Sequence, residues 1–207
     1  MTNGKVERDQ TAAYVLSANS PVNSRSFSGC SNSCSDAQPW QLSNRFDARA
    51  LPLADRHYNR RKIGSPQFVP PGRCIVLLTK QENALWVTSW PFAEYVKHSW
   101  AGAWVNSCFR NEAPAEYLSS ELIRKAVAAT CALWPEIPAL GMITFINTEK
   151  VRRKRDWGRC YRKAGFRPAG TTVGGLIALK LEPSDMPEPL PAFSTQGLLA
   201  FSEACSS

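Results

Sequence analysis

The chain has 207 residues, 43% of them apolar, which suffices for one domain with a real core and is too short to expect two. No run reaches the roughly 18 apolar residues of a membrane span, and residues 1–10 lack a signal-peptide core, so a cytoplasmic protein without a membrane partner is expected. The net charge is +8, and nine of the 25 Lys and Arg fall between Lys150 and Arg167 against one acid, Asp156; such a concentration draws polyanions, a merely solvated basic face being the plainer alternative.

Residues 1–44 are rich in Ser, Asn and Thr without apolar periodicity, and read as a polar, disordered segment. Cys30 and Cys34 sit there without a second Cys pair or a His, so no metal site is expected. A helix is expected over 48–61, with Pro52 tolerated in its first turn. Residues 74–78 form a continuous apolar run of strand length, 81–83 a turn, and 84–89 the returning strand. A longer strand is expected over 100–109. Ser119, Ser120 and Glu121 then open a helix, with a Ser N-cap, an acid in the first turn, and Leu122, Ile123, Ala126, Ala129 and Leu133 at helical spacing. Pro135 and Pro138 end it. Residues 142–146 read as a strand, 156–164 as a short helix ending at Gly165, and 176–181 as a last strand, giving the order α-β-β-β-α-β-α-β. From Pro183 the chain is acidic and Pro-rich, a stiff exit. The folded unit is thus expected over 45–183, with a tail over 184–207 whose apolar patch at 198–201 can dock back. The seven cysteines are scattered and odd in number, so Cys74, Cys108 and Cys131 read as buried free thiols.

The sharpest local pattern is Cys160-Tyr161-Arg162-Lys163-Ala164-Gly165-Phe166. Gly165 supplies the left-handed residue that ends a helix, and Phe166 packs as the chain turns to the last strand. This segment resembles the late helix of the GNAT acyltransferases, an apolar residue and Tyr followed after a short polar stretch by Gly-Phe. The resemblance implies an α/β (α+β) domain, with a central mixed, mostly antiparallel sheet flanked by helices and splayed around a cofactor cleft. It implies acetyl-CoA or another activated acyl donor, and it places the Tyr161 hydroxyl where it protonates the departing thiolate. A buried Tyr with a satisfied hydroxyl explains the motif as well. GNAT enzymes hold the donor's pyrophosphate on free amides at the start of the helix after the third strand. Arg110, Ser119 and Ser120 stand at that junction here, but the usual Gly-rich loop does not, which leaves a plain helix cap as the alternative.

Asp55-Arg56-His57-Tyr58-Asn59-Arg60 holds one of the two histidines. With the GNAT pattern, this pair is similar to the His-Tyr pair of the Mom family of phage DNA-modification proteins, a likeness running in order over residues 50–182. It implies a transferase that adds a small acyl-derived, carbamoylmethyl-like group to the N6 amine of adenine in double-stranded DNA, protecting phage DNA from restriction. His57, Tyr58, Asn147 and Tyr161 would form its catalytic set. That family uses an Asp where this chain has Asn147, so the role of base moves to His57 or Glu149; a structural His at a helix end is the bland reading. Arg60, Arg61, Lys62, Arg152, Arg153, Lys154 and Arg155 would hold phosphates rather than read bases. Of Trp86, Trp90, Trp100 and Trp104, most read as core, with Trp90 beside Pro91 the one expected at a pocket mouth. Two other functions fit the sequence. One is N-acetylation of a small-molecule or protein amine. The other is a non-catalytic module that only binds nucleic acid, favoured by the missing Gly-rich loop.

Overall fold

Short apolar runs bounded by turn residues cannot bury themselves singly, and here they are hydrogen-bonded into one sheet. The computed structural model describes residues 38–151 and 156–194. They form an α+β domain with few helices and a seven-stranded, mixed, mostly antiparallel open sheet. In chain order the elements are β1 (Trp40–Ser43), α1 (Leu51–Asp55), β2 (Arg73–Thr79), β3 (Ala84–Trp90), β4 (Trp104–Asn111), α2 (Ser119–Leu133), β5 (Met142–Ile146), α3 (Arg159–Lys163), β6 (Arg167–Thr171) and β7 (Ile177–Leu181). The sheet order is β1-β2-β3-β4-β5-β7-β6, and only β4 and β5 run parallel.

That parallel pair positions the site. β3 and β4 are paired from Ala84↔Asn111 to Ser89↔Val105, with Ser107 the extra residue of a bulge. β4 and β5 are paired only from Trp104↔Met142 to Asn106↔Thr144. Beyond that point β4 continues for five residues to Asn111 and β5 for two to Ile146, so the strands part as a fork.

One face of the sheet carries α2 and α3 over a core containing Trp86, Trp104, Leu122, Ile123, Met142 and Phe166, each almost fully enclosed. Side chains of this class contribute roughly 2–3 kcal/mol apiece on burial. The opposite face is covered in two pieces. Leu53 and Ala54 of α1, with Val69, pack on Val76, Leu78, Leu85 and Val87, while the segment before β4 lays Trp100 and Ala103 on Ile143 and Ala178. Cys74, Cys108 and Cys131 are free thiols; the last two are buried, and Cys74 is half-buried.

Several boundaries differ from the sequence expectation. The fold begins before residue 45: Trp40 of β1 is fully buried and its Nε1 donates to the Leu122 carbonyl at 3.0 Å. The helix expected over 48–61 stops at Asp55, because that carboxylate accepts from Arg60 Nε and the Gly64 amide and closes a loop instead. α2 starts on Leu118 as its N-cap with no side-chain cap, so Ser119 is the first helical residue rather than the cap. β6 went unread because Pro168 and Gly170 sit in it, which an edge strand with a bulge tolerates. Nor does the chain leave the fold at 183. The Leu190 amide donates to the Ala128 carbonyl, the Phe193 amide donates to that of Trp40, and the Leu42 amide donates to that of Phe193, which lays the segment parallel to β1 at Gln41. The patch at 198–201 and Cys30 and Cys34 lie outside the described residues.

Candidate functional site

At the fork between β4 and β5 the last paired residue of β4 is polar. Asn106 is buried, and its Nδ2 donates to the carbonyls of Val87 (3.1 Å) and Cys108 (3.0 Å). Those two acceptors fix the amide orientation, so Oδ1 must face the other way. There it accepts from the Tyr161 hydroxyl at 2.7 Å and from Thr144 Oγ1 at 3.3 Å. Both donors and both lone pairs of the amide are thereby used. Burial raises the Tyr161 hydroxyl well above the ordinary tyrosine value, so it is a neutral proton carrier at every physiological pH. Phe109 and Phe166 meet its ring edge to face at 6.1 and 5.4 Å. α3 presents Tyr161 here because it starts at Gly158, whose φ of +69° is left-handed and whose missing Cβ leaves room for Ile146 and Leu179.

A cavity of about 700 Å3 opens from this point, lined on different sides by Tyr161, Ser119, Ser120, His57, Tyr58 and Lys163. The uncapped first turn of α2 therefore faces the same space as the Tyr161 ring. Its amides and the positive end of the helix favour an anion there. Arg159 and Lys163 add cationic charge, while Asp156 on the same wall is paired with Arg162 and Arg159. These groups favour an anionic ligand.

His57 lines this cavity and a second one of about 400 Å3, so it stands between them. Its ring stacks on Tyr58 with centroids 4.5 Å apart. Burial first, then the Arg110 charge, lower its pKa from 6.5 to about 4. The imidazole is therefore neutral and able to accept a proton, although weaker as a base than its ordinary value suggested. Burial raises the Tyr58 hydroxyl, opposed by a hydrogen bond from the Asn147 backbone. Arg60, Arg61 and Lys62 line the second cavity, with Ser107 and Cys108 of β4.

Other expected residues are placed differently. The Asn147 side chain accepts from the amides of Glu149 and Lys150 and so shapes the turn after β5, with its backbone the part that reaches Tyr58. Arg110 is not in the cavity wall: its Nε pairs with Glu112 at 2.6 Å and its Nη1 donates to the Arg56 carbonyl. Arg60 is committed to Asp55 and to the carbonyls of Ser65 and Gln67, which makes it a loop pin rather than a phosphate clamp. Arg61 and Lys62 are exposed. Arg152, Arg153, Lys154 and Arg155 lie outside the described residues. Trp90, expected at a pocket mouth, lines neither of these two cavities nor a third at Trp100; it packs on Trp104 and Trp134 under the Arg73 guanidinium and donates to the Gly102 carbonyl. Among the described residues no three His, Cys, Asp or Glu side chains gather as a metal site, and no helix is long and apolar enough to cross a membrane.

No family model, curated protein or solved structure matches the chain. Its site stands on its own geometry.

Sequence reasoning missed Asn106, Thr144 and Gly158. The one available signal was Asn106 in mid-strand, where an unpaired buried amide would cost on the order of 1–3 kcal/mol.

Proposed function

We propose that this chain is a transferase of the GNAT superfold that moves a small acyl-derived group from an activated carrier to the N6 amine of adenine in DNA. The observation that carries the reading is the Tyr161 hydroxyl at the β4–β5 fork, on the same cavity as the uncapped start of α2. The sheet order, with its single parallel pair that separates after three residues, supports the fold assignment. The basic second cavity, joined to the first at His57, supports an anionic acceptor.

A bound acyl-CoA would supply an acyl carbon activated as a thioester. Ser119 and Ser120 would hold the anionic end of the carrier through their amides. Tyr161 keeps a proton on its hydroxyl, aimed at Asn106 at rest, and gives it to the departing sulfur as the carbon–sulfur bond breaks. The amine nitrogen forms the new bond to carbon and loses one proton. Neutral His57 accepts that proton; a weak base suffices, because an amine nitrogen becomes strongly acidic once bonded to the electrophile. The Tyr161 oxygen is then reprotonated, so the net movement is one proton from nitrogen to sulfur.

Mass spectrometry of nucleosides from the DNA of cells expressing the chain tests this reading. A deoxyadenosine of increased mass is expected. Unmodified deoxyadenosine overturns the DNA substrate, and an acylated small amine in the same extract would move the activity to another acceptor.

A further inference from the structure

A third cavity, of about 350 Å3, lies apart from the two that meet at His57. Three rings gather at it. His98 and Phe145 are 4.9 Å apart between centroids, His98 and Trp100 5.8 Å, and Trp100 and Phe145 5.9 Å. Trp100 lies over Gly170 of β6 at 3.7 Å from where a Cβ would stand, which places the β6–β7 hairpin as the other wall. The space is open to solvent, with the three half-buried rings on one side and residues 171–176 of the hairpin on the other. Its rim carries hydrogen-bonding groups: among the described residues the hydroxyls of Ser99 and Thr171 make no hydrogen bond and Lys97 makes no ion pair. Burial lowers the His98 pKa, which leaves its ring uncharged beside the other two.

Register places this cavity on the same side of the sheet as the basic one. Val105 pairs with Ile143 in parallel, so the two share a face, and Phe145 lies two residues beyond Ile143 on that face. Past the bulge at Ser107, Cys108 returns to the face of Val87, with α1. The basic cavity borders β4 through Ser107 and Cys108, and the aromatic one borders β5 through Phe145, on either side of the fork. No acidic residue lines either, and Lys97, Arg61 and Lys62 are all exposed there. Flat rings with unused hydroxyls at their edge and cations beside them match one ligand chemistry, a nucleobase attached to phosphate.

We propose that the cavity at Trp100, Phe145 and His98 is a stacking subsite for an unpaired base of the nucleic-acid acceptor, with Lys97 on the adjoining phosphate. This rests on the nucleic-acid reading above and adds a second point of contact to it. The stack is indifferent to sequence, because every base offers a π-face; it holds a displaced neighbour while the target amine reaches the fork.

The test measures binding of the full chain to two fluorescent single strands of equal length, one of deoxynucleotides and one of abasic sugar-phosphate. The wild-type protein is expected to bind the base-bearing strand roughly five- to hundredfold more tightly. Trp100→Leu and the milder Phe145→Leu should each remove most of that preference while leaving affinity for the abasic strand within twofold. Should Trp100→Leu not fold, Phe145→Leu and the wild-type comparison still decide. Equal binding of both strands by wild type, or a preference that survives Phe145→Leu in folded protein, overturns the stacking subsite and leaves phosphate binding standing. Failure to bind either strand overturns the subsite and the nucleic-acid reading together.

Discussion

The two edges of β4 behave in opposite ways. Toward β3 the strand is paired along nearly its whole length, and its bulge is bridged by Ser89 and Ser107 hydroxyls 3.0 Å apart. Toward β5 only three residues pair, the last of them Asn106 with Thr144, and where the strands part the side chains of that pair meet the Tyr161 hydroxyl. A closed edge satisfies the backbone locally and cheaply. An open edge inside a domain leaves polar groups that only a side-chain network of distant residues can satisfy, and that network is where a proton can be stored.

The sharpest way to break this comparison is to remove its two polar bridges separately. Asn106→Leu strips partners from two carbonyls and two hydroxyls, and should cost about 3–5 kcal/mol in denaturant unfolding. Ser89→Ala on the paired edge should cost less than about 1 kcal/mol. Equal losses would mean that the fork is not energetically distinct.

The next test lies at His57, which joins the two sides. Its folded pKa of about 4 lies below the unfolded 6.5, so the unfolded chain binds the proton first as pH falls. The stability it contributes is complete above pH 6.5 and declines until pH 4, a loss on the order of 3 kcal/mol. In His57→Gln the slope of stability against pH across that window should flatten, as read from unfolding curves at successive pH values. An unchanged slope would place the buried titration elsewhere.

A smaller effect separates the basic side from the proton-carrying side. If three phosphates are neutralised there, DNA affinity should fall roughly 40-fold between 50 and 200 mM salt. Arg61→Ala with Lys62→Ala should reduce the logarithmic salt slope by about 2, whereas Tyr161→Phe should leave it unchanged. A flat response in the unsubstituted protein would remove the polyanion.

What the sequence disclosed follows the range of the forces involved. α2, the β2–β3 hairpin and the turn from Tyr161 through Gly165 to Phe166 are set by neighbours within a few residues, and were legible. β1, β6 and the returning segment at Leu190 and Phe193 carry few apolar residues, and each exists only because a partner strand or helix far along the chain holds it. The same distinction governs the site. His57, Tyr58, Ser119, Ser120 and Tyr161 were singled out by a family resemblance carried on short local motifs, and all five line one cavity. Asn106 meets Tyr161 across 55 positions, and no local pattern announces such a bond. Arg110 and Arg60 looked free by composition, because their acids, Glu112 and Asp55, become partners only once the loops close.

In the proposed reaction the Tyr161 hydroxyl, held at the fork by Asn106, supplies the proton for group transfer. The direct measurement is the rate of deoxyadenosine modification by Tyr161→Phe against wild type, at matched circular dichroism and melting temperature. The account predicts a loss of roughly a hundredfold or more with the fold intact. A rate within twofold of wild type would contradict it.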